Sequence, residues 1–359
     1  MRFKLLGRSG LRVSELCCGT MTFGQGRAAW GASKPESAAV FERFVEAGGN
    51  FFDTANSYQA GESETFLGDF MGARRHAFVV ASKFSMGGRP GDANSWGNHR
   101  KSLIQAIEGS LRRLRTDYLD LYWMHAWDQL TPQDEVLRAL DDLVRAGKVL
   151  YIGLSDTPAW VIARSQAIAE LRGWATLAAI QMPYSLVERT PERELVPMAQ
   201  ALGLSMLTWG SLGAGLLSGK YAPRETTSEP RNERHGRLHY HADRSRTAAL
   251  NARNFAIVDA VRTVAHALDA TPAQVALAWV RARSPGMIPI VGARTAAQLD
   301  DNLGCLGVVL DAAQLALLDE ASAIELGFPR DFLEGEMVQS VLYQNMRGDI
   351  DASGGTQRV

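Results

Sequence analysis

The feature that most constrains this chain is an alternation repeated eight times, in which a short apolar run is followed by a longer stretch with helical periodicity. Strands are expected near residues 16–19, 51–53, 78–82, 119–124, 150–154, 178–182, 205–209 and 288–291. Between them, Ile104, Ile107, Leu111 and Leu114 recur three or four apart, and Val136, Leu137, Leu140, Leu143 and Val144 fill one face in the same way, the period of an amphipathic helix. Thr131-Pro132, Thr157-Pro158, Thr190-Pro191 and Thr271-Pro272 each place a hydroxyl where an N-cap is needed, followed by a proline whose missing N–H is no loss. Thr271 with Gln274, and Thr295 with Gln298, add capping-box spacing. Strands alternating with helices predict a parallel sheet. Eight units, with no G-x-G-x-x-G after the first strand, fit a closed (β/α)8 TIM barrel better than an open doubly wound sheet.

Such a barrel takes about 250 residues as one domain, more with insertions. The 359 residues are therefore read as a single barrel over 1–325 with a C-terminal tail, 326–359. Gly7-Arg8-Ser9-Gly10, between Phe3-Lys4-Leu5 and Leu11-Arg12-Val13, predicts an N-terminal β-hairpin turned by glycines. Three segments exceed ordinary loop length: 84–98, 222–250 and the tail after Ala323. These are expected to carry substrate or cofactor selectivity.

Composition narrows the partners. The chain is 46% hydrophobic and 21% charged, with a formal net charge of −1. That is material for a large core and gives no bulk attraction to nucleic acid or anionic lipid, so the ligands are expected to be small molecules. Cys17, Cys18 and Cys305 provide neither a disulfide framework nor CxxC zinc spacing. The start lacks a signal-peptide apolar region, and no apolar run of membrane-spanning length occurs. A cytoplasmic protein without membrane contact is expected.

Three of the expected strands end in chemistry. Phe51-Phe52 leads into Asp53, with Tyr58 five residues on; Phe78 to Ser82 stops at Lys83; Leu119 to Met124 stops at His125. In a parallel barrel all strand C-termini open on one face, so these four side chains can meet. A free phenol, with a pKa of about 10, exchanges protons poorly at neutral pH, but a nearby ammonium favours its ionised form. Lys83 can supply that charge, Asp53 can keep Lys83 protonated and aimed, and a neutral His125 can hydrogen-bond the oxygen of a carbonyl. Tyr58 then becomes the general acid of carbonyl reduction. Taken singly, each residue has a plainer reading as part of an ion pair or a polar rim; together, at successive strand ends, they outweigh it.

Here the sequence resembles the aldo-keto reductase family, whose catalytic tetrad is Asp, Tyr, Lys and His, with the first two in a stretch like Asp53-Thr54-Ala55-Asn56-Ser57-Tyr58. The resemblance spans roughly residues 2–325 and implies NADPH as the hydride source, since no side chain carries one.

Ser155 and Gln181, at the ends of the fifth and sixth strands, can bond a carboxamide, and the family uses Ser and Gln there to fix the nicotinamide. The family usually has Asn directly after that Ser; this chain has Asp156, which when ionised cannot donate. The seventh strand runs into Gly210, Ser211, Leu212, Gly213, Ala214 and Gly215, with Lys220 beyond. Such a stretch lets backbone N–H groups approach a pyrophosphate. Many relatives read Tyr-Ser-Pro-Leu where this chain has Trp209 to Leu212, so Trp209 is implied to stack on the nicotinamide. Gly19, Thr20 and Met21, at the first strand's exit, are counted with the cofactor contacts. After the eighth strand, Gly292 and Arg294 precede a helix start, a combination suited to a phosphate monoester. The family places the 2′-phosphate there and the adenine near Gln298 and Asn302.

Trp30, Met86, Trp96, Trp127 and Tyr184 lie in strand-exit loops and are candidates to wall an apolar substrate pocket. His235, His239 and His241 sit among Arg231, Arg234, Arg237, Arg244 and Arg246; dense arginine disfavours a metal cation, and a basic lid is the better reading. Two other functions stay open. Potassium-channel β subunits resemble this family yet bind NADPH mainly as regulatory partners, and an isomerase or eliminase acting on a keto sugar would recycle its cofactor.

Overall fold

The computed structural model describes residues 1–26, 31–221, 250–344 and 346–350. Its centre is a closed barrel of parallel strands: β3 (Cys17–Gly19), β4 (Phe51–Asp53), β5 (Val79–Phe84), β6 (Leu119–Met124), β7 (Val149–Ser155), β8 (Leu177–Pro183), β9 (Ser205–Trp209) and β10 (Met287–Val291). Each strand pairs with its neighbour in sequence, and β10 closes the ring by pairing with both β9 and β3. The expected TIM barrel is therefore observed, with helices between successive strands. β1 (Phe3–Leu5) and β2 (Arg12–Ser14) form the antiparallel hairpin, with Lys4 opposite Val13.

The two-residue period of the strands sorts the apolar residues into two cores. Cys17, Phe51, Val79, Ala81, Leu121, Trp123, Ala179, Leu207 and Ile288 fill the barrel interior. Their sequence neighbours Cys18, Phe52, Val80, Tyr122, Ile180 and Met206 face outward into the layer shared with the helices. Leu6 and Val13 of the hairpin region join the inner cluster and so plug the floor. Gly7 makes this seating possible: it adopts φ +56°, and a Cβ there would come within 2.2 Å of the Ala178 carbonyl oxygen. Continued toward the strand ends, the inward parity reaches Asp53, Lys83, His125, Ser155, Gln181 and Trp209.

Helix starts agree with the sequence reading in part. Thr271 caps α8 (Pro272–Ala282) in a full capping box with Gln274. Thr295 caps α9 (Ala296–Leu303), but the Gln298 side chain accepts from the Arg294 amide rather than returning to Thr295. At α4 (Gln133–Arg145) and α5 (Ala159–Arg172) the proline itself is the N-cap. The preceding hydroxyls are engaged elsewhere: Thr131 donates to Asp128 and Thr157 to the Ser155 carbonyl, both at 2.7 Å. Thr190-Pro191 opens only a 3-10 turn, Thr190–Arg193, with the hydroxyl bound to Glu188. In these cases a strand-exit loop captures the hydroxyl that a helix end would otherwise use.

After the last barrel helix, α10 (Ala312–Ala321), the tail holds two short helices, Arg330–Glu334 and Glu336–Tyr343. Trp30 and most of the segment expected as a basic lid, including its histidines, lie outside the described residues. Among the described residues no helix is long and apolar enough to cross a membrane, and no cluster of metal-ligating side chains occurs.

Candidate active site

The tetrad assembles at the C-terminal mouth of the barrel. Lys83, fully buried, donates to the Asp53 carboxylate, to the Thr54 carbonyl oxygen at 2.8 Å and to the Tyr58 hydroxyl at 3.1 Å. All three ammonium protons are thus committed. Burial alone would depress the Lys83 pKa, but Asp53 and Tyr58 more than offset it and hold the ammonium above the usual lysine range. At Tyr58 the balance differs from the expectation that Lys83 would set it. Burial pushes the phenol up by more than Lys83 pulls it down, and Asp53 adds to the upward shift. The neutral phenol, the form that can donate a proton, is therefore favoured.

The His125 ring stands edge-on to Tyr58, with centroids 5.9 Å apart and planes at 79°. Its Nδ1 is buried with no hydrogen-bond partner among the described residues. Burial first, and then the Lys83 charge, lower its pKa to about 3, so the imidazole is neutral at any ordinary pH. Tyr58 itself begins a strained turn: Gln59 and Ala60 follow at φ +48° and +58°, a region that costs non-glycine residues about 1–3 kcal/mol each. The Gln59 side chain helps to hold this turn by donating to the Met21 carbonyl at 3.1 Å.

Asp53 has two further donors. Gln181 Nε2 lies 2.9 Å and the Trp123 indole nitrogen 3.1 Å from the same carboxylate oxygen, Oδ1. Trp123 was not singled out from the sequence, nor was Gly153, whose lack of a side chain makes room for it. A Cβ at Gly153 would sit 2.3 Å from the Trp123 ring. Both lie in mid-strand, where the sequence shows only apolar filling; the signal available was their inward parity.

The residues expected around a nicotinamide cofactor occupy the adjoining part of the mouth. The Ser155 hydroxyl is buried with no partner among the described residues, an orphan that a carboxamide would satisfy. Gln181, having given its Nε2 to Asp53, keeps its amide oxygen uncommitted among the described residues. Trp209 is 41% exposed, and its indole N–H donates to Asp156 at 3.1 Å. Gly210 and Gly213 to Gly215 turn tightly after β9, four residues with positive φ. The Lys220 ammonium lies close over Gly215. Arg294 is exposed just before α9, and Gly292 is half-buried. These residues fit a nicotinamide dinucleotide in kind: an orphaned hydroxyl and an amide oxygen for a carboxamide, an exposed indole, and a glycine-rich turn with an ammonium beside it.

Several other expected contacts point into the protein. Ser211 is buried and donates to the Thr208 carbonyl at 3.1 Å. Thr20 is fully buried and ties the exit of β3 to the Asp53 carbonyl. Asn302 is buried beneath Gly292, while Gln298 is exposed. Gly19 faces β10, and a Cβ there would lie 2.6 Å from the Ile290 side chain. Leu212 packs on the outer core.

On the substrate side, Met86 and Trp96 are 43% and 50% exposed. Trp127 packs edge-to-face on Trp160, ring centroids 5.5 Å apart. The loop carrying Met86 and Trp96 has no regular structure, as its glycines suggested, and is clasped at its base by buried Asn98, which donates to Ser85 Oγ at 2.7 Å and to the Ala126 carbonyl at 2.9 Å. Tyr184 departs from its expected place. It is 1% exposed and stacked on Trp279, and its hydroxyl donates to Glu192. It belongs to the layer outside the barrel because that carboxylate and that ring satisfy it there.

Comparison with known proteins agrees with this geometry. A family model described as the aldo/keto reductase family matches residues 15–323. The chain is 38% identical over 337 residues to a norsolorinic acid reductase of Emericella nidulans, an alignment covering 90% of this chain and 82% of that one. It is 35% identical over 347 residues to a norsolorinic acid reductase of Aspergillus flavus, covering 94% and 84%. An aryl-alcohol dehydrogenase of Pestalotiopsis microspora is 33% identical over 366 residues, covering 98% and 91%.

Proposed function

The chain belongs to the aldo/keto reductase family, and from that premise we propose that it reduces the carbonyl of an aldehyde or ketone to the alcohol with NADPH, aryl carbonyls foremost. The observation that carries the reading is the buried Asp53–Lys83–Tyr58 chain of hydrogen bonds beside a neutral His125. NADPH, when bound, supplies the hydride. Tyr58 donates the proton to the carbonyl oxygen, and His125 hydrogen-bonds the same oxygen and fixes its direction. Lys83, locked by Asp53 and Thr54, stabilises the phenolate left behind. Trp123 and Gln181 keep the Asp53 carboxylate in place while this happens.

Ser155, Gln181 and Trp209 would hold the nicotinamide, the turn from Gly210 to Gly215 with Lys220 the pyrophosphate, and Arg294 the 2′-phosphate. The aryl preference rests on the exposed rings of Trp96 and Trp160 with half-buried Trp127, and on the names of the relatives. The test is NADPH oxidation with an aryl aldehyde, read against Tyr58→Phe. General acid catalysis typically contributes about a hundred- to ten-thousandfold, and a loss of that order is expected. A variant that keeps most of its rate would remove Tyr58 from its role. Tight NADPH binding without turnover would replace the reading with a regulatory one, and product formed without net NADPH consumption with an isomerase or eliminase.

A further inference from the structure

A second cavity, of about 340 Å³, lies beside the turn that carries Tyr58 and is lined by none of the four tetrad side chains. Its walls are the turn leading into Tyr58, the loop after β5 and one face of α3 (Arg100–Leu114). Arg89, Arg112 and Arg113 line it together with Ser57, Ser95 and Gln105; among the described residues no Asp or Glu does. Arg89 is ion-paired with Asp92 at 2.6 Å and Arg113 with buried Glu64 at 2.7 Å. The side chains of Arg112, Ser57 and Gln105 have no hydrogen-bond or ion-pair partner among the described residues.

The cavity is built at some cost. Gly109 lies in the middle of α3, where glycine is disfavoured, and a Cβ there would come 3.1 Å from the Arg113 guanidinium. Gly87 presses on the Tyr58 turn, where a Cβ would meet Ser57 Cβ at 2.8 Å. The helix thus leaves room for a guanidinium and the loop closes directly on the turn. The volume is within the range of small-ligand sites, and a guanidinium fork with uncommitted N–H donors, as at Arg112 between two further arginines, is what tetrahedral oxyanions recognise.

We propose that this cavity binds a small oxyanion, a phosphate or sulfate group, free or carried by an ester, and that its occupancy braces the turn bearing Tyr58. Bound there, the anion bridges α3, the loop and the turn at once, so loop and turn move less.

The test is calorimetric titration with inorganic phosphate and with glycerol phosphate, at constant ionic strength balanced by chloride. It is done in an Arg294→Ala background, so that it is independent of the cofactor reading and of that guanidinium. Saturable binding is expected. Arg112→Gln should weaken it about tenfold, the value of one charge-assisted hydrogen bond; Gln105→Leu should weaken it less, and Arg172→Gln, an equal charge change on exposed α5, not at all. A tighter fit for the ester than for phosphate identifies a phosphorylated metabolite as the ligand; equal affinity identifies the free ion. Binding that chloride abolishes, that is unchanged in Arg112→Gln, or that never saturates means an adventitious ion only and overturns the proposal. Both test positions are exposed, so loss of folding does not confound the result.

Discussion

The indole N–H of Trp209 donates to the Asp156 carboxylate across 3.1 Å, joining the exits of β9 and β7 over the strand between them. Asp156 adopts φ +44°, a region that Asp and Asn tolerate better than most residues. The two positions are also where the chain departs from the family pattern, which has Asn after the Ser and commonly Tyr at the end of the seventh barrel strand. The departures fit one another: an indole brings a donor on its ring, and a carboxylate is the acceptor it needs. Asp156→Ala and Trp209→Phe, which keeps the stacking ring but has no donor, should each weaken NADPH binding about fivefold, the loss of one exposed hydrogen bond. The double variant should be no worse than either single one. Dissociation constants that multiply in the double variant would show that the two side chains act independently.

His125 gives a prediction in pH. Its folded pKa, about 3, lies below the ordinary imidazole value of 6.5, so between those values the unfolded chain binds a proton that the folded one refuses. Its contribution to stability is complete above pH 6.5 and is lost as pH falls toward 3. Relative to His125→Gln, the wild type should lose up to about 1.4 kcal/mol per pH unit within that window. The same neutrality removes any histidine inflection from kcat/KM between about pH 5 and 8. Denaturation curves that stay parallel for the two proteins, or an inflection near 6.5 in the rate profile, would mean that the imidazole ionises in the folded protein.

Gly153 should be intolerant of a side chain. Gly153→Ala forces a methyl against the Trp123 ring and the Ala179 carbonyl oxygen, an overpacking that typically costs about 1–3 kcal/mol. Trp123 can yield only by moving its N–H away from Asp53, so kcat should fall together with stability. Adding Trp123→Phe relieves the crowding against the ring, but neither that against the Ala179 carbonyl oxygen nor the missing donor. The double variant should therefore recover part of the lost thermal stability while activity stays low. Recovery of both would make Trp123 a packing residue only.

How far the site was legible follows from these residues. Asp53, Lys83 and His125 could be read because each polar group ends an apolar run, and a strand end in a parallel barrel has only one face to open on. Ser155 and Gln181 could be placed at the same mouth in the same way, each ending its own apolar run. Trp123 and Gly153 were not, because an inward tryptophan and the glycine that accommodates it on the next strand form a pair only when the register is known. The Tyr58 proton balance was misread for a related reason: the sequence names the lysine beside the phenol, but not how much water the turn excludes. Thr131 and Thr157 went to strand-exit loops rather than helix caps because the competing acceptors, Asp128 and the Ser155 carbonyl, are supplied by those loops.

Arg294 bears on the choice between NADPH and NADH. Arg294 is exposed at the start of α9, and its backbone N–H is already taken by the Gln298 side chain at 3.0 Å. What it offers a 2′-phosphate is therefore the guanidinium, beside the unpaired amides of the helix's first turn. A charge-assisted hydrogen bond contributes about 1.5–3 kcal/mol, and 1.4 kcal/mol is tenfold in affinity. Exposure to solvent places Arg294 toward the lower end of that range, so Arg294→Ala should reduce the preference for NADPH about tenfold and leave NADH binding nearly unchanged. Gln298→Ala frees the Arg294 amide without removing the guanidinium, and the preference should survive it. If both cofactors weaken equally in Arg294→Ala, the guanidinium acts through general surface charge, and the 2′-phosphate is recognised by other residues.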